Sequence, residues 1–413
     1  MDYNAPLLQP GTFDPDAGYL DENSPGGILG SVPPADAIEA PQREICWAID
    51  NLLGDGTWRS AQDAGDLTQL YQAILAAAPI TRTTTIINVA PGGSANPADP
   101  IAGDAFDKLS SAFAWLQGRR VMPGVLLRIL IAEGVYTETA DLLDLSHPDG
   151  LSITIEGADM LNAFPTIGNF ADDADDDEAM LRARFAVKID CLKDGIVAGQ
   201  GGIRLIKNIA LFGSGSYIGA HFGSTNSLNP NTFGRAGPAF GSVLNFATMG
   251  FATGIVARNA GACSGLNVLA VHNSGSGVVA NNMSLFTANN IISSYNSDSG
   301  LTCIDGSFAE IGQSGNFDGN GAHGVNLIRS QAVVGGEVPG TFTARGNTSR
   351  GINADKWSRF DGRVMDLDMT GGGTFSAFAN DGSQIFLDSA SNLGSLSPAN
   401  NTVGNNNSFI RSA

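Results

Sequence analysis

The sequence predicts a mainly β fold: a parallel, right-handed β-helix preceded by a small helical N-terminal region. Three observations predict it. From residue 195 onward a segment recurs about every 23 residues. The 413 residues include 53 glycines, against roughly 29 at average usage, with no three-residue period of the collagen kind. Each repeat also carries aliphatic residues at alternate positions after its glycine, the mark of a strand with one face in a core.

The clearest copies read NSGSGVVA from Asn273, NSDSGLTC from Asn296, NGAHGVNL from Asn320 and NTSRGINA from Asn347. Their glycines, Gly277, Gly300, Gly324 and Gly351, are separated by 23, 24 and 27 residues. ATGIVA around Gly254 and KDGIVA around Gly195 extend the series without the asparagine. Gly219 is a poorer match, and an insertion at 224–239 accounts for the long step to Gly254. A coil of this length holds two or three short strands joined by turns, stacked about 4.8 Å apart on the next coil. Val278, Leu301, Val325 and Ile352 then form one inward stack. Ala280, Cys303, Leu327 and Ala354 form another, two residues on. The asparagines suit a hydrogen-bonded ladder, and the glycines suit corners of positive φ. Right-handed winding is the rule for parallel crossovers. The signatures of leucine-rich repeats and of calcium-binding nonapeptide rolls are absent.

Along the chain, residues 1–36 read as an extended arm rich in Pro, Gly, Asp and Asn. Residues 37–80 read as a helical region whose apolar faces need each other, another domain or other copies of the chain. Its first helix runs from about Pro41 to Leu53, with Ile45, Ile49 and Leu52 on one face; its second runs from about Asp66 to Ala78, opened by Asp66 and Gln69 as a capping box. Residues 81–102 are expected to be a linker holding a short strand at 83–89. Residues 103–371 are assigned to a capping helix plus the β-helix. The helix, at 104–117, sets Phe106, Leu109, Phe113 and Leu116 on one face to plug the open end of the solenoid. Strands follow at 125–132 and 151–155, then an acidic loop at 171–179. Residues 372–413 are the end or tail of the β-helix.

Acidic residues number 41 against 22 basic, a net charge of −19. That argues against nucleic acid, which needs clustered Lys and Arg, and against docking on an anionic membrane. No run of about 18 apolar residues occurs, so no membrane insertion is expected, and the N-terminus lacks the features of a signal peptide. Cys46, Cys191, Cys263 and Cys303 form no CxxC pair and are expected to be reduced and buried, with no zinc. No cofactor motif is present.

Polysaccharide cleavage needs paired carboxylates or a base beside an Arg or Lys. The candidates are Asp298, Asp305 and Glu310, with Asp318 and Asp361; the simpler reading of each is a solvated turn residue. Asp305 occupies the repeat position of Asn282 and Arg329, so an Asp305–Arg329 pair is expected. His272 and His323 fall at different repeat positions and are read as surface or turn residues. The segment 172–178 lacks the spacing and glycine of an EF-hand and is read as a solvated loop, so no metal is expected. Trp357 and Tyr295 are candidates for stacking on sugars.

The stretch PGTFDPDAGYLDENSPGGILGSVPPADAIEAPQREICWAI, residues 10–49, followed by DLTQLYQAI, residues 66–74, resembles the N-terminal region of tailed-bacteriophage tail fibres. The match covers about residues 5–78. DAFDKLSSAFAWLQ, a strand and GVYTET are more loosely similar to the start of the pectate-lyase-like β-helix of phage tailspikes. The resemblance implies a virion protein at the tail tip, made in the host cytoplasm and acting outside the cell. It implies a homotrimer attached to a tail baseplate or hub protein by its N-terminal region, with the β-helix meeting a host-surface glycan or receptor. The expectation is a structural, non-enzymatic fibre. A tailspike depolymerase is the alternative, and a secreted bacterial carbohydrate-binding β-helix is a weaker third reading.

Overall fold

The computed structural model describes residues 80–412, apart from 82–83, 118, 122–123, 139–142, 146, 171–172, 200–201, 224–238, 336–340, 363–365, 371–372, 388–395 and 398–406. The expected arm, both N-terminal helices, Cys46, the tail-fibre-like stretch and nearly all of the insertion lie outside the described residues. Almost everything described belongs to one compact unit, residues 81–117 with 121–413.

That unit is a parallel β-solenoid. Ten strands form one sheet in strict chain order: Leu143–Asp144, Ile196–Ala198, Ile218–Gly223, Thr253–Arg258, Val278–Asn281, Leu301–Ile304, His323–Ile328, Arg350–Asp355, Phe375–Ala379 and Leu396–Ser397. Each coil contributes one strand beside its predecessor, and every pairing is parallel. The register is the one the repeat demands. Ile255, Val278, Leu301, Val325 and Ile352 are successive partners, as are Ala257, Ala280, Cys303, Leu327 and Ala354. All ten side chains are buried in one continuous core. Burial of each aliphatic side chain stabilises by about 1.5–3 kcal/mol, and no coil can hide its face without its neighbours.

The remaining strands cover the other faces. Ile203–Phe212 pairs through its first half with Ile153–Gly157 and through its second with Val187–Cys191. It turns from one face to the next at Asn208, whose φ is 59°. Asn245, Asn267 and Asn290 repeat the bend at φ 49°, 58° and 60° in Phe240–Met249, Ala262–Val271 and Leu285–Ile292. Asparagine tolerates this left-handed backbone better than other side chains. The bends are tied by a ladder of amides: Asn245 donates to Asn208 (2.9 Å), Asn267 to Asn245 (2.8 Å) and Asn290 to Asn267 (3.1 Å).

The expected asparagine ladder is a second, buried one. Asn273 and Asn296 each donate through both backbone N–H and side-chain amide to the next asparagine, Asn296 and Asn320 (2.8–3.1 Å). Asn320 does the same to Asn347 (2.8 and 3.1 Å). A third column, of buried serines, joins Ser284 to Ser307 (3.2 Å) and Ser330 to Ser358 to Ser383 (3.2 and 3.0 Å).

The repeat glycines are used differently from expectation. Gly277, Gly300, Gly324 and Gly351 do not have positive φ. They are required because the next coil's backbone passes over them. A Cβ on Gly254, Gly324 or Gly351 would lie about 2.6, 2.6 and 2.5 Å from the carbonyl oxygens of Gly277, Gly351 and Ser376. The corner of positive φ belongs to another column: Asn259, Asn282, Asp305, Arg329, Lys356, Asp381 and Asn407, at φ between 50° and 60°.

The solenoid is longer than the legible repeat. Thr85–Ser94, in the segment expected to be a linker, pairs with Leu127–Ile131. Beyond residue 371, Phe375–Ala379, Gln384–Leu387, Leu396–Ser397 and Phe409–Ser412 continue the coils. Helix α1, Leu109–Leu116, buries Leu109, Ala112, Phe113 and Leu116 in the main core. It starts later than expected because Ala105 and Phe106 are taken into a strand beside Asn88 and Val89. It rests against Leu143–Asp144, the terminal strand of the ten-stranded sheet, as a cap should. Lys108 gives it no side-chain cap; the buried Glu138 accepts from the Ser110 N–H instead (3.1 Å).

The acidic segment is a correction. It forms helix α2, Ala174–Arg184, and not a loop. The Asp173 carboxylate accepts from the N–H groups of Asp175 and Asp176 (3.0 and 3.3 Å), the next three acids fill the first turn, and Arg182 and Arg184 stand in the last. Both ends therefore match the helix dipole. Arg182 bonds Glu178 (2.7 Å) and Asp190 (2.6 Å), and its guanidinium lies 3.9 Å from the Phe212 ring centre. The excursion around α2 packs Phe170, Leu181 and Phe185 against Phe212, Met249, Leu269 and Val271 on the outside of the coils.

One surface cluster sets a pH response. Glu156 accepts from Arg128 (2.9 and 2.8 Å) and from Lys207 Nζ (2.9 Å) across adjacent strands. Arg128 first, and Lys207 with it, hold its carboxyl down to about 2. A depressed carboxyl stabilises the fold above its ordinary pKa of 4.5 and stops doing so as pH falls toward 2. Glu156→Gln is therefore expected to be less stable than wild type in urea at pH 7, with the gap narrowing between pH 4.5 and 2. A gap independent of pH would refute this.

Candidate functional site

The carboxylate candidates are dispersed. Asp298 is exposed in the turn before Leu301–Ile304 and accepts from Ser276 Oγ (2.9 Å) and Ser299 Oγ (3.3 Å). Asp305 stands at the left-handed corner and pairs with Arg329 through Nε (2.8 Å) and a second guanidinium nitrogen, as its repeat position requires. Glu310 is exposed on a different face, in Phe308–Ile311. Asp318 is buried and saturated: Arg345 donates to it from its backbone (2.7 Å) and side chain (3.0 and 2.8 Å), and Asn316 donates at 3.0 Å. Asp361 accepts from Arg359 (2.9 Å). All but Glu310 have a hydrogen-bonded side-chain partner, and none of these contacts joins two of the candidates.

The histidines are more enclosed than expected. His272 Nε2 lies 2.7 Å from the buried Asp177, tying α2 to the coils. Its ring stacks on Tyr295, centroids 5.4 Å apart, so one of the two aromatic candidates already has its face covered. His221 and His323 are each pushed down to about 4, by burial first. Arg258 adds to this at His221 and Arg350 at His323, where Asp298 opposes it. Both imidazoles are neutral at pH 7. Cys191, Cys263 and Cys303 are buried and reduced as expected, and burial pushes the Cys191 and Cys303 thiols up to about 12. Among the described residues, no group of three His, Cys, Asp or Glu is placed to hold a metal, and no helix is long and apolar enough to cross a membrane.

A groove of about 400 Å³ lies on the outside of the coils. The excursion before α2 supplies one wall, with Phe164, Pro165, Thr166 and Ile167. Four successive coils supply the other, with Asn267, then Asn290 and Ile292, then Ser314 and Asn316, then Thr341 and Thr343. Phe164 meets Phe185 edge-on at 6.4 Å, which fixes the wall against the excursion's own core. The lining holds no charged side chain. It combines an apolar wall with neutral amides and hydroxyls, the combination that recognises an uncharged polar ligand. The sequence reading missed this groove because its wall comes from an excursion outside the repeat. The asparagines at 267 and 290, spaced 23 apart, were a legible signal for the other wall.

Trp357 remains the open aromatic, 76% exposed. No protein-family model, no curated protein and no solved structure matches this chain.

Proposed function

We propose that this chain is a structural tail-fibre protein of a tailed bacteriophage. Its N-terminal region docks on a tail baseplate or hub protein, and its solenoid contacts a host-surface glycan. The assembly is a homotrimer at the virion tail tip. The attachment half of this reading rests on the likeness of residues 10–49 and 66–74 to tail-fibre N-termini. The recognition half is carried by the uncharged groove between Phe164 and the Asn290, Asn316 and Thr341 coils. A stack of parallel coils in register is a rigid scaffold on which such a surface can be held. The reading is of a binding protein in preference to a depolymerase, because Asp298, Asp305, Asp318 and Asp361 are each hydrogen-bonded to neighbouring side chains.

Two measurements test it. Light scattering on the full chain is expected to give a particle near three times 42.6 kDa, and mass spectrometry is expected to find the chain in purified virions; a monomer absent from particles defeats the proposal. Thr341→Trp, which fills the groove from an exposed strand position, is expected to cut phage adsorption at least tenfold while leaving the melting temperature within a few degrees. Unchanged adsorption would remove the groove from the account.

A further inference from the structure

In seven successive coils, from Asn259 to Asn407, the corner between the ten-stranded sheet and the next face is built on left-handed backbone. In several coils two consecutive residues adopt it: Asn259–Ala260, Asn282–Met283, Asp305–Gly306, Lys356–Trp357 and Asp381–Gly382. Glycine is the undemanding choice for the second position, and Gly306 and Gly382 use it. Trp357 and Met283 are the bulky exceptions: they hold φ at 66° and 59° while remaining 76% and 75% exposed, so core burial offsets the strain at neither. Of the two, only Trp357 presents an aromatic ring.

The indole is nevertheless seated. Its backbone N–H donates to the Asp381 carbonyl (2.9 Å). Its ring lies over Gly382: a Cβ there would come within 2.6–2.9 Å of ring carbons. Gly382 thus presses one face of the ring, and the other is open. Beside it is a shallow depression lined by Lys356, Asp381 and Asn407, the corner residues of three successive coils.

We infer that this corner is a second glycan-contact site, in which the free face of Trp357 stacks on an uncharged pyranose ring while Lys356, Asp381 and Asn407 bond its hydroxyls. A pyranose offers a patch of C–H groups rimmed by hydroxyls; the corner offers one aromatic face rimmed by an ammonium, a carboxylate and an amide. Lys356 and Asp381 balance each other in charge, and a chain of net charge −19 repels polyanions, so the class is neutral hexoses or N-acetylhexosamines. The coil spacing of about 4.8 Å is close to the length of one sugar residue, so a chain running along the corner meets a new polar side chain at each coil.

The inference rests on the glycan-recognition reading above but concerns separate residues. The full-length protein, its Trp357→Ala and Trp357→Tyr variants and Thr341→Trp are tested on an immobilised panel of neutral oligosaccharides of hexoses and N-acetylhexosamines. Melting temperature and light-scattering mass are followed in parallel. Wild type is expected to bind at least one panel member, Trp357→Ala at least tenfold more weakly, and Trp357→Tyr in between, with mass and fold unchanged. The inference is overturned if wild type binds no neutral oligosaccharide, if Trp357→Ala binds as wild type does, or if that variant changes the mass, which would make the indole a contact between copies. Adsorption that falls with Thr341→Trp but not with Trp357→Ala would defeat this site and leave the proposed function standing. Trp357-dependent glycan binding by a chain absent from virions would do the reverse.

Discussion

Asn320→Ala is expected to destabilise the solenoid by about 4 kcal/mol, more than any other single truncation of a polar side chain in the ladders. Asn320 is fully buried. Its amide donates to the carbonyls of Ser293 (3.2 Å) and Phe317 (2.9 Å) and to Asn347 Oδ1 (3.1 Å). Its oxygen accepts from the backbone and side-chain nitrogens of Asn296 (3.0 and 3.1 Å). Truncation removes a partner from two carbonyls and two donors that water cannot reach, and each such loss costs about 1–3 kcal/mol, less than additively. Asn320→Asp keeps the acceptor but loses the donors and buries a charge, so it is expected to do no better. Asn282→Ala, in the exposed pair where Asn282 donates to Asn259 (2.9 Å), is the control: it loses only a solvated bond and the tolerance of asparagine for φ 57°, and is expected to cost about 1–2 kcal/mol, well below the loss at Asn320. Urea unfolding measures all three, and similar losses at Asn320 and Asn282 would contradict the ladder account.

Gly300→Ala carries the second large effect, about 3 kcal/mol or more, or failure to fold. Its Cβ would sit 2.5 Å from the Ser293 carbonyl oxygen, 2.8 Å from that of Gly324 and 2.9 Å from Asn320 Nδ2. Two of the three are backbone atoms of ladders that cannot yield without breaking the stack. Gly306→Ala separates sterics from dihedral preference. Gly306 has φ 76°, but the nearest atom to its added Cβ is the flexible Met283 side chain at 3.5 Å. That substitution pays only the left-handed penalty of about 1–2 kcal/mol. If Gly306→Ala proved the more damaging, close approach would not be what fixes the repeat glycine.

The glycine shows where sequence reasoning stops. Its recurrence marks the coil, but a recurring glycine is equally compatible with positive φ and with a backbone passing overhead; only the register of neighbouring coils separates the two. The same holds for chemistry. Asp305 and Arg329 were pairable from spacing alone because equivalent positions on adjacent coils are neighbours by construction. Asp318 and Arg345, each two residues before a ladder asparagine, are related by the same period; Asp177 and His272 were not pairable, since no repeat relates their positions.

Residues whose neighbours are set by the period were therefore readable: the parallel solenoid, the stacks through Val278 and Ala280, and the ladder from Asn273 to Asn347. The sequence by itself determined these, because a period of one coil converts separation along the chain into distance in space. The tertiary structure alone decided the rest. It extended the coils back to Thr85 and on to Ser412, turned the acidic segment into helix α2, formed the groove from an excursion outside the repeat, and left Trp357 with an open face. Those features depend on which surface a non-repeating segment covers, and that is fixed by packing between residues far apart in the chain, where no periodicity applies.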